Sequence, residues 1–257
     1  MNDHDCGLRV EHRGLAAIIT IDRPLARNAL SRANARELER LVGIWSAEPS
    51  VRGVIITGAG QEVFVAGGDL RDFASIAHEP VGADDVIEMG STMHAIELCE
   101  VPVLAAVQGM AFGGGCELTL ACDLVLMEAH ATLTFREAAM GLSTGWGGGT
   151  RLVERVGPML AARLLFLGES IGAQDALLMG LVSAVVPQGR AVEECLAWVE
   201  RIARFPRSAI AGMKRMLRDV RSEQRGGAFA REAEVFASLW GKPDHLAAMD
   251  AFLSRRR

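Results

Sequence analysis

What this sequence lacks narrows its function before any motif is read. No apolar run approaches the ~18 residues of a membrane-spanning helix, so no membrane role is expected. Positive charge is not in excess: 27 Lys and Arg stand against 32 Asp and Glu, for a net charge of −5. With a pI near 5.7 there is no global basic field of the kind that holds nucleic acid, and no such partner is expected. Cysteine pairs of the CxxC type are missing. Cys6, Cys99, Cys116, Cys122 and Cys195 are odd in number and scattered, which reads as buried reduced thiols. The opening MNDHDCGLRV resembles neither a secretory leader nor an Arg-rich transit peptide, and the cytoplasm is the expected location. His4, His12, His78, His94 and His130 show no metal-ligand spacing, so no metal is expected.

What is there reads as a folded enzyme: half the residues are hydrophobic and 23% are charged. Residues 8–22 read as two short strands around Arg13-Gly14. Ser31 is a fitting N-cap for a helix carrying Leu38, Leu41, Val42 and Trp45 at helical spacing. Val51 to Thr57 has a buried-strand pattern, and Val86, Met89, Met93 and Ile96 mark one face of a helix over 84–99. A strand from Val103 to Gln108 leads into glycines 113–115, a helix follows from near Cys116, and Leu124 to Met127 gives another strand. Such alternation predicts an α/β core over residues 1–190. After Arg190 only helical patterns remain, broken at Pro206, Gly226-Gly227 and Pro243. Residues 191–257 are therefore expected to form a C-terminal helical part.

Two glycine-rich turns carry the chemistry. Ala66-Gly67-Gly68-Asp69-Leu70 and Phe112-Gly113-Gly114-Gly115-Cys116-Glu117 each follow a strand and precede a helix. N–H groups at helix N-termini are unpaired and sit at the positive end of the dipole. Two such turns face to face would make an oxyanion hole. Neither fits a P-loop or a GxGxxG dinucleotide turn. Gly141-Leu142-Ser143-Thr144-Gly145 matches GxSxG, with Asp175 or Asp219 and His245 downstream, the order of a serine hydrolase. Glu137 to Met140 does not read as the strand that such a serine requires.

FVAGGDL at 64–70, QGMAFGGGCEL at 108–118 and CDLVLM at 122–127 resemble the central motifs of the enoyl-CoA hydratase/isomerase (crotonase) superfamily. RPLARNAL at 23–30, GGTRLVERVG at 148–157, AQDALLMGLVSAVV at 173–186 and the terminal AAMDAFLSRRR resemble its other landmarks in the same order. The resemblance spans nearly the whole chain. It implies a ββα spiral core, with the C-terminal helices serving oligomerisation into a homotrimer or homohexamer. The substrate implied is an acyl-CoA thioester, without a separate cofactor. Gly68 and Gly114 would donate the oxyanion-hole N–H groups, and Arg27, Ala29, Ala66, Asp69, Leu70 and Arg71 would line the CoA site. Arginines near Arg27 and Arg71 would meet the CoA phosphates.

In hydratase-type members two glutamates hold the reacting water, and Glu117 and Glu137 stand at their positions. Hydration of a 2-enoyl thioester needs water at Cβ and a proton at Cα, which two carboxyls can supply. Enoyl-CoA hydratase is the expected activity. An isomerase, an alkylmalonyl-CoA decarboxylase and a non-catalytic member that binds acyl-CoA or RNA are the alternatives. Two departures from the hydratase pattern bear on the reaction. Arg136 replaces a frequent proline before Glu137, either lowering that carboxyl's pKa or pointing to solvent. A loop with Trp146 resembles that of decarboxylase-like relatives acting on branched malonyl thioesters.

Overall fold

The computed structural model describes residues 7–79 and 82–254; Cys6 and the arginines that end the chain lie outside them. Strands β1 (Leu8–Arg13) and β2 (Ala16–Ile21) form an antiparallel hairpin at the edge of a six-stranded sheet. The sheet continues through β3 (Gly53–Gly58), β5 (Val103–Val107), β7 (Leu124–Glu128) and β10 (Ala184–Val186), all parallel. Its inner strands read as unbroken apolar runs because both faces are covered. On one face Ile19, Val54, Ile56, Ala105 and Val125 join the main core; on the other Ile18, Ile55, Leu104 and Leu126 form a second one.

That second core is closed by α8 (Ala191–Ile202), through Ala191, Cys195 and Val199. The change to helices at residue 191 is thus a change of element type within continuous packing. Cys99, Cys116, Cys122 and Cys195 are buried free thiols.

Helix α1 (Arg32–Ala47) begins at Ser31 as expected. The serine side chain accepts the Asn34 N–H while Asn34 returns a bond to the Ser31 N–H, a reciprocal cap. The helix expected over 84–99 is two helices, α3 (Gly82–Glu88) and α4 (Gly90–Leu98), which meet at Met89. The predicted face holds nonetheless, with Val86, Met89, Met93 and Ile96 all buried.

A second sheet was not anticipated. Strands β4 (Val63–Val65), β6 (Met110–Phe112), β8 (Thr132–Thr134) and β9 (Ser170–Gly172) stand in that order, parallel except for the last pair. Three-residue strands complete barely one alternation, too little for a periodic signal. This small sheet has a large effect: β4 delivers the first glycine turn and β6 the second. Helix α2 (Leu70–Ala74) follows the first. Helix α5 (Gly114–Ala121) follows the second and starts two residues before the expected Cys116.

Beyond β8 come a short 3-10 turn (Ala138–Met140), α6 (Gly148–Leu167) and α7 (Ala173–Leu178). Gly157 and Pro158 kink α6. The C-terminal helices are α9 (Arg207–Arg225), α10 (Ala228–Leu239) and α11 (Pro243–Ser254). The last two return to the main core through Phe236, Trp240 and Met249.

Candidate active site

A cleft of about 620 Å³ gathers residues from Arg23 to Leu253. Its first wall is Arg23, Leu25, Ala26, Arg27 and Ala29, in and around the 3-10 turn Pro24–Ala26. Arg27 and Asn28 have φ of 54° and 56°, a conformation that costs a side-chain-bearing residue about 1–3 kcal/mol. Asn28, fully buried, holds the kink. It donates to the Ala59 and Val63 carbonyls at 2.9 and 2.8 Å and accepts the Arg23 N–H at 3.0 Å. Arg27 is thereby placed on the cleft wall.

The two glycine turns meet. Gly67 has a φ of +94°, and a side chain there would begin 3.0 Å from the Phe112 carbonyl oxygen and 3.4 Å from the Gly114 nitrogen. Only glycine allows both the conformation and the approach. The Gly114 N–H opens α5 and has no carbonyl one turn back. Gly68 pairs with Leu30 in an isolated bridge. Its bonds run from the Leu30 N–H to Gly67 and from the Asp69 N–H to Leu30, so the Gly68 N–H takes no part. Gly68 and Gly114 both line the cleft.

Asp69 is committed locally: it caps α2 by accepting the Arg71 N–H at 3.0 Å and pairs with Arg23 at 2.8 Å. Arg23 also donates to the Ala29 carbonyl. Ala66, Leu70 and Arg71 line the cleft as well, Arg71 with its side chain exposed.

Glu117 sits in the first turn of α5, almost fully buried. Its Oε2 accepts the N–H groups of Trp146 at 2.9 Å and Gly148 at 2.7 Å, and its Oε1 that of Gly145 at 3.5 Å. Gly148 is so close that a side chain there would begin 2.3 Å from the Glu117 Cγ. Glu137 is different. Both of its carboxyl oxygens are buried without a hydrogen-bond partner, and Oε1 lies 3.6 Å from where a side chain on Gly113 would begin.

Burial pushes the Glu117 carboxyl up, and the charges of Glu137 and Glu232 push it further. Burial likewise raises Glu137, against the pull of the backbone N–H groups of Glu137 and Arg136, and the charge of Glu232 adds to the rise. Two such carboxyls at short range cannot both ionise readily and titrate as a pair. The N–H donors oppose the rise of Glu117 without cancelling it, so both carboxyls stand above the ordinary range and the pair holds a proton at neutral pH.

Of Arg136, only the backbone N–H pulls Glu137 down, and burial outweighs it, so the carboxyl stays raised. The Arg136 side chain is exposed, with the guanidinium 5.0 Å from the centre of the Phe112 ring, and Arg27 lies 5.6 Å from the same ring. The Trp146 loop is anchored at several points. Trp146 Nε1 donates to the Val86 carbonyl at 2.9 Å, and Arg151 donates to the Trp146 carbonyl at 2.7 Å. Arg151 in turn pairs with buried Glu97 at 3.0 Å, which also binds Arg225 at 2.9 Å. The indole packs against Gly114, where a side chain would begin 2.1 Å from its ring.

Ser143 is entered from the 3-10 turn rather than a strand, and its hydroxyl donates to the Thr144 carbonyl. His245 Nδ1 accepts the Gly241 N–H, and Asp219 pairs with Arg218. No Ser–His–Asp relay forms among these. No group of three or more His, Cys, Asp or Glu suited to a metal occurs among the described residues. No helix among them is long and apolar enough to cross a membrane.

Sequence reasoning overlooked Phe112 and Phe236 as cleft residues. It also overlooked Glu232, which from α10 accepts the Gly149 and Thr150 N–H groups at the start of α6. Nothing local to residue 232 marks it as a cap for a helix some eighty residues earlier.

Residues 11–257 match the sequence family described as Enoyl-CoA hydratase/isomerase. The chain is 32% identical over 248 residues to the short-chain-enoyl-CoA hydratase of Clostridium acetobutylicum, covering 96% of this chain and 95% of that protein. It is 31% identical to the ethylmalonyl-CoA decarboxylase of Gallus gallus, covering 94% and 82% of the two chains. The crystal structure of an enoyl-CoA hydratase/isomerase from Mycobacterium paratuberculosis superposes with a TM-score of 0.89 at 26% identity, over 97% of this chain and all of that one.

Proposed function

The chain belongs to the enoyl-CoA hydratase/isomerase family, and from that premise we propose that it hydrates 2-enoyl-CoA thioesters. The observation that carries this reading is the carboxyl pair. Glu117 accepts three backbone N–H groups and Glu137 keeps both carboxyl oxygens buried and unpartnered; in this reading the proton they share sits on Glu137. The Gly68 and Gly114 N–H groups receive the thioester carbonyl oxygen and stabilise it as charge develops, the role of an oxyanion hole. Glu117 takes a proton from water as the water oxygen bonds to Cβ. The C2=C3 electron pair moves into the enolate. Glu137 gives its proton to Cα, the enolate collapses, and the Glu117 proton returns to Glu137 through the next water. The net change is addition of one water to the same face of the double bond. Acyl-CoA is the substrate, and no separate cofactor enters any step.

Arg27 and Arg71 lie on the cleft and meet the CoA phosphates in this reading. Copies of the chain assemble as a homotrimer or homohexamer.

A second reading is alkylmalonyl-CoA decarboxylation, favoured by the indole of Trp146 against Gly114 and by the similarity to the chicken decarboxylase. It places a substrate carboxylate beside two acidic residues, a costly juxtaposition of like charge. An isomerase needs only one of the two carboxyls to move a proton between Cα and Cγ. A turnover panel of 2-enoyl, 3-enoyl, 3-hydroxyacyl and alkylmalonyl CoA thioesters separates the three. Hydration of crotonyl-CoA as the fastest reaction is expected. Faster loss of CO₂ from an alkylmalonyl thioester overturns the hydratase reading.

A further inference from the structure

The charged and aromatic residues of the cleft occupy different parts of it. Among the described residues, the cations lining it are four arginines. Arg23 is engaged with Asp69 and the Ala29 carbonyl. Arg27 and Arg136 gather around Phe112, the residue before the second glycine turn. Arg71 is in the first turn of α2 with its side chain exposed.

The two oxyanion donors are instead backed by rings. Phe73 packs against Gly68, Trp146 against Gly114, and Phe236 against Gly145. Trp240 stands behind Phe73 and Phe236 with ring centres 5.9 and 5.6 Å away. Val86 closes the wall and spends its carbonyl on the Trp146 indole N–H. Behind this wall stand His245, 4.6 Å from Trp240, and Arg151 against the Trp146 carbonyl. His245 is completely buried and burial pushes its pKa down, so it stays neutral, and the Arg151 guanidinium is already engaged by that carbonyl and by Glu97.

A thioester carbonyl seated between Gly68 and Gly114 directs its acyl chain along these rings. A carboxylate at the far end of that chain would give up its hydration with no cation to replace it. We infer that this site selects thioesters with an uncharged, apolar acyl chain and rejects those ending in a carboxylate, with Phe73, Val86, Trp146 and Phe236 as the selecting wall. The inference rests on the acyl-CoA reading of the site, but not on which reaction follows.

Equilibrium binding of saturated, unreactive thioesters to the full-length protein tests it. Free CoA, butyryl-CoA, hexanoyl-CoA and adipoyl-CoA are titrated by calorimetry at neutral pH. Each buried methylene is worth about a fourfold gain in affinity, so hexanoyl-CoA, two methylenes longer, should bind roughly sixteenfold more tightly than butyryl-CoA. Adipoyl-CoA, of the same chain length, should bind no more tightly than free CoA. Affinity of adipoyl-CoA within a factor of about two of hexanoyl-CoA overturns the inference and leaves the CoA site standing. Failure of all four to bind overturns the inference and the acyl-CoA reading together.

Discussion

Glu117 and Glu137 invite separate predictions because the protein treats them differently. Replacement of either by glutamine should lower kcat for crotonyl-CoA by at least about 10²-fold, the scale of a lost acid–base group, with little change in substrate affinity. Steady-state kinetics check this, and hydration near the wild-type rate removes that residue from the mechanism. Because burial raises Glu137, the alkaline limb of the kcat profile should lie above the ordinary carboxylate range and mark loss of its proton. The same shift has a cost in stability. The unfolded carboxyl ionises near 4.5, the folded one at higher pH. Stability is therefore complete below the unfolded value and falls as pH rises toward the folded one. Glu137→Gln cannot ionise, so its melting temperature should gain on the wild type between pH 5 and pH 8. A constant difference across that range would show that the buried carboxyl carries no such penalty. Both glutamates are visible in the sequence through the family resemblance, which places two carboxyls at these positions after the triple glycine. Asp69 is visible too, but its commitment to an α2 cap and to Arg23 is a fact of three-dimensional contact.

The element that shapes the site most is the loop before α6. Its hold on Glu117 comes through backbone N–H groups of Gly145, Trp146 and Gly148, and the loop is secured from behind by Arg151, Glu97 and Arg225. Burial alone would push Glu97 up, but hydrogen bonds from Arg151 and Arg225 pull it down to about 2. Its contribution to stability is present above 4.5 and lost as pH falls toward about 2. Glu97→Ala leaves two arginines without their carboxylate and should destabilise the fold by about 3–5 kcal/mol, the cost of breaking a buried pair. Chemical denaturation measures this; a change under about 1 kcal/mol, the worth of an exposed pair, would show the network to be dispensable. Elements of this size were legible in proportion to their length. The amphipathic helices α1, α8 and α9 announce themselves by periodicity. The three-residue strands that aim the glycine turns do not, and the order of the second sheet is dictated by tertiary pairing alone.

At the scale of the whole molecule, the exposed apolar residues call for a partner. Met213, Met216, Leu217 and Val220 on α9 are each more than half exposed, and Phe166 and Leu178 are at 77% and 85%. Large apolar patches on a monomer of this size are rare, and we expect light scattering at micromolar concentration to report a trimer or hexamer. A mass of 27.5 kDa would refute that assembly. CoA affinity should fall with added salt, because exposed charge-assisted contacts are screened. It should also fall on replacing Arg27 and Arg71 by alanine; unchanged affinity in that variant removes both from the phosphate site. The family and the α/β core were readable from motifs in register. The closure of the cleft by α10 and α11 was not, because it joins residues at opposite ends of the chain.

That closure orders events during synthesis. The cleft begins with Arg23 and ends with Leu253, so one of its walls leaves the ribosome some two hundred residues after the other. A nascent chain can fold its sheet and set its two glycine turns while α11 is still inside the exit tunnel. Until then the acyl end of the cleft stands open to water, and the charge of an enolate would be shared with solvent instead of with two fixed donors. A chain stalled before residue 243 should therefore carry both glutamates and remain inert toward thioesters, so that activity appears only once α11 has emerged.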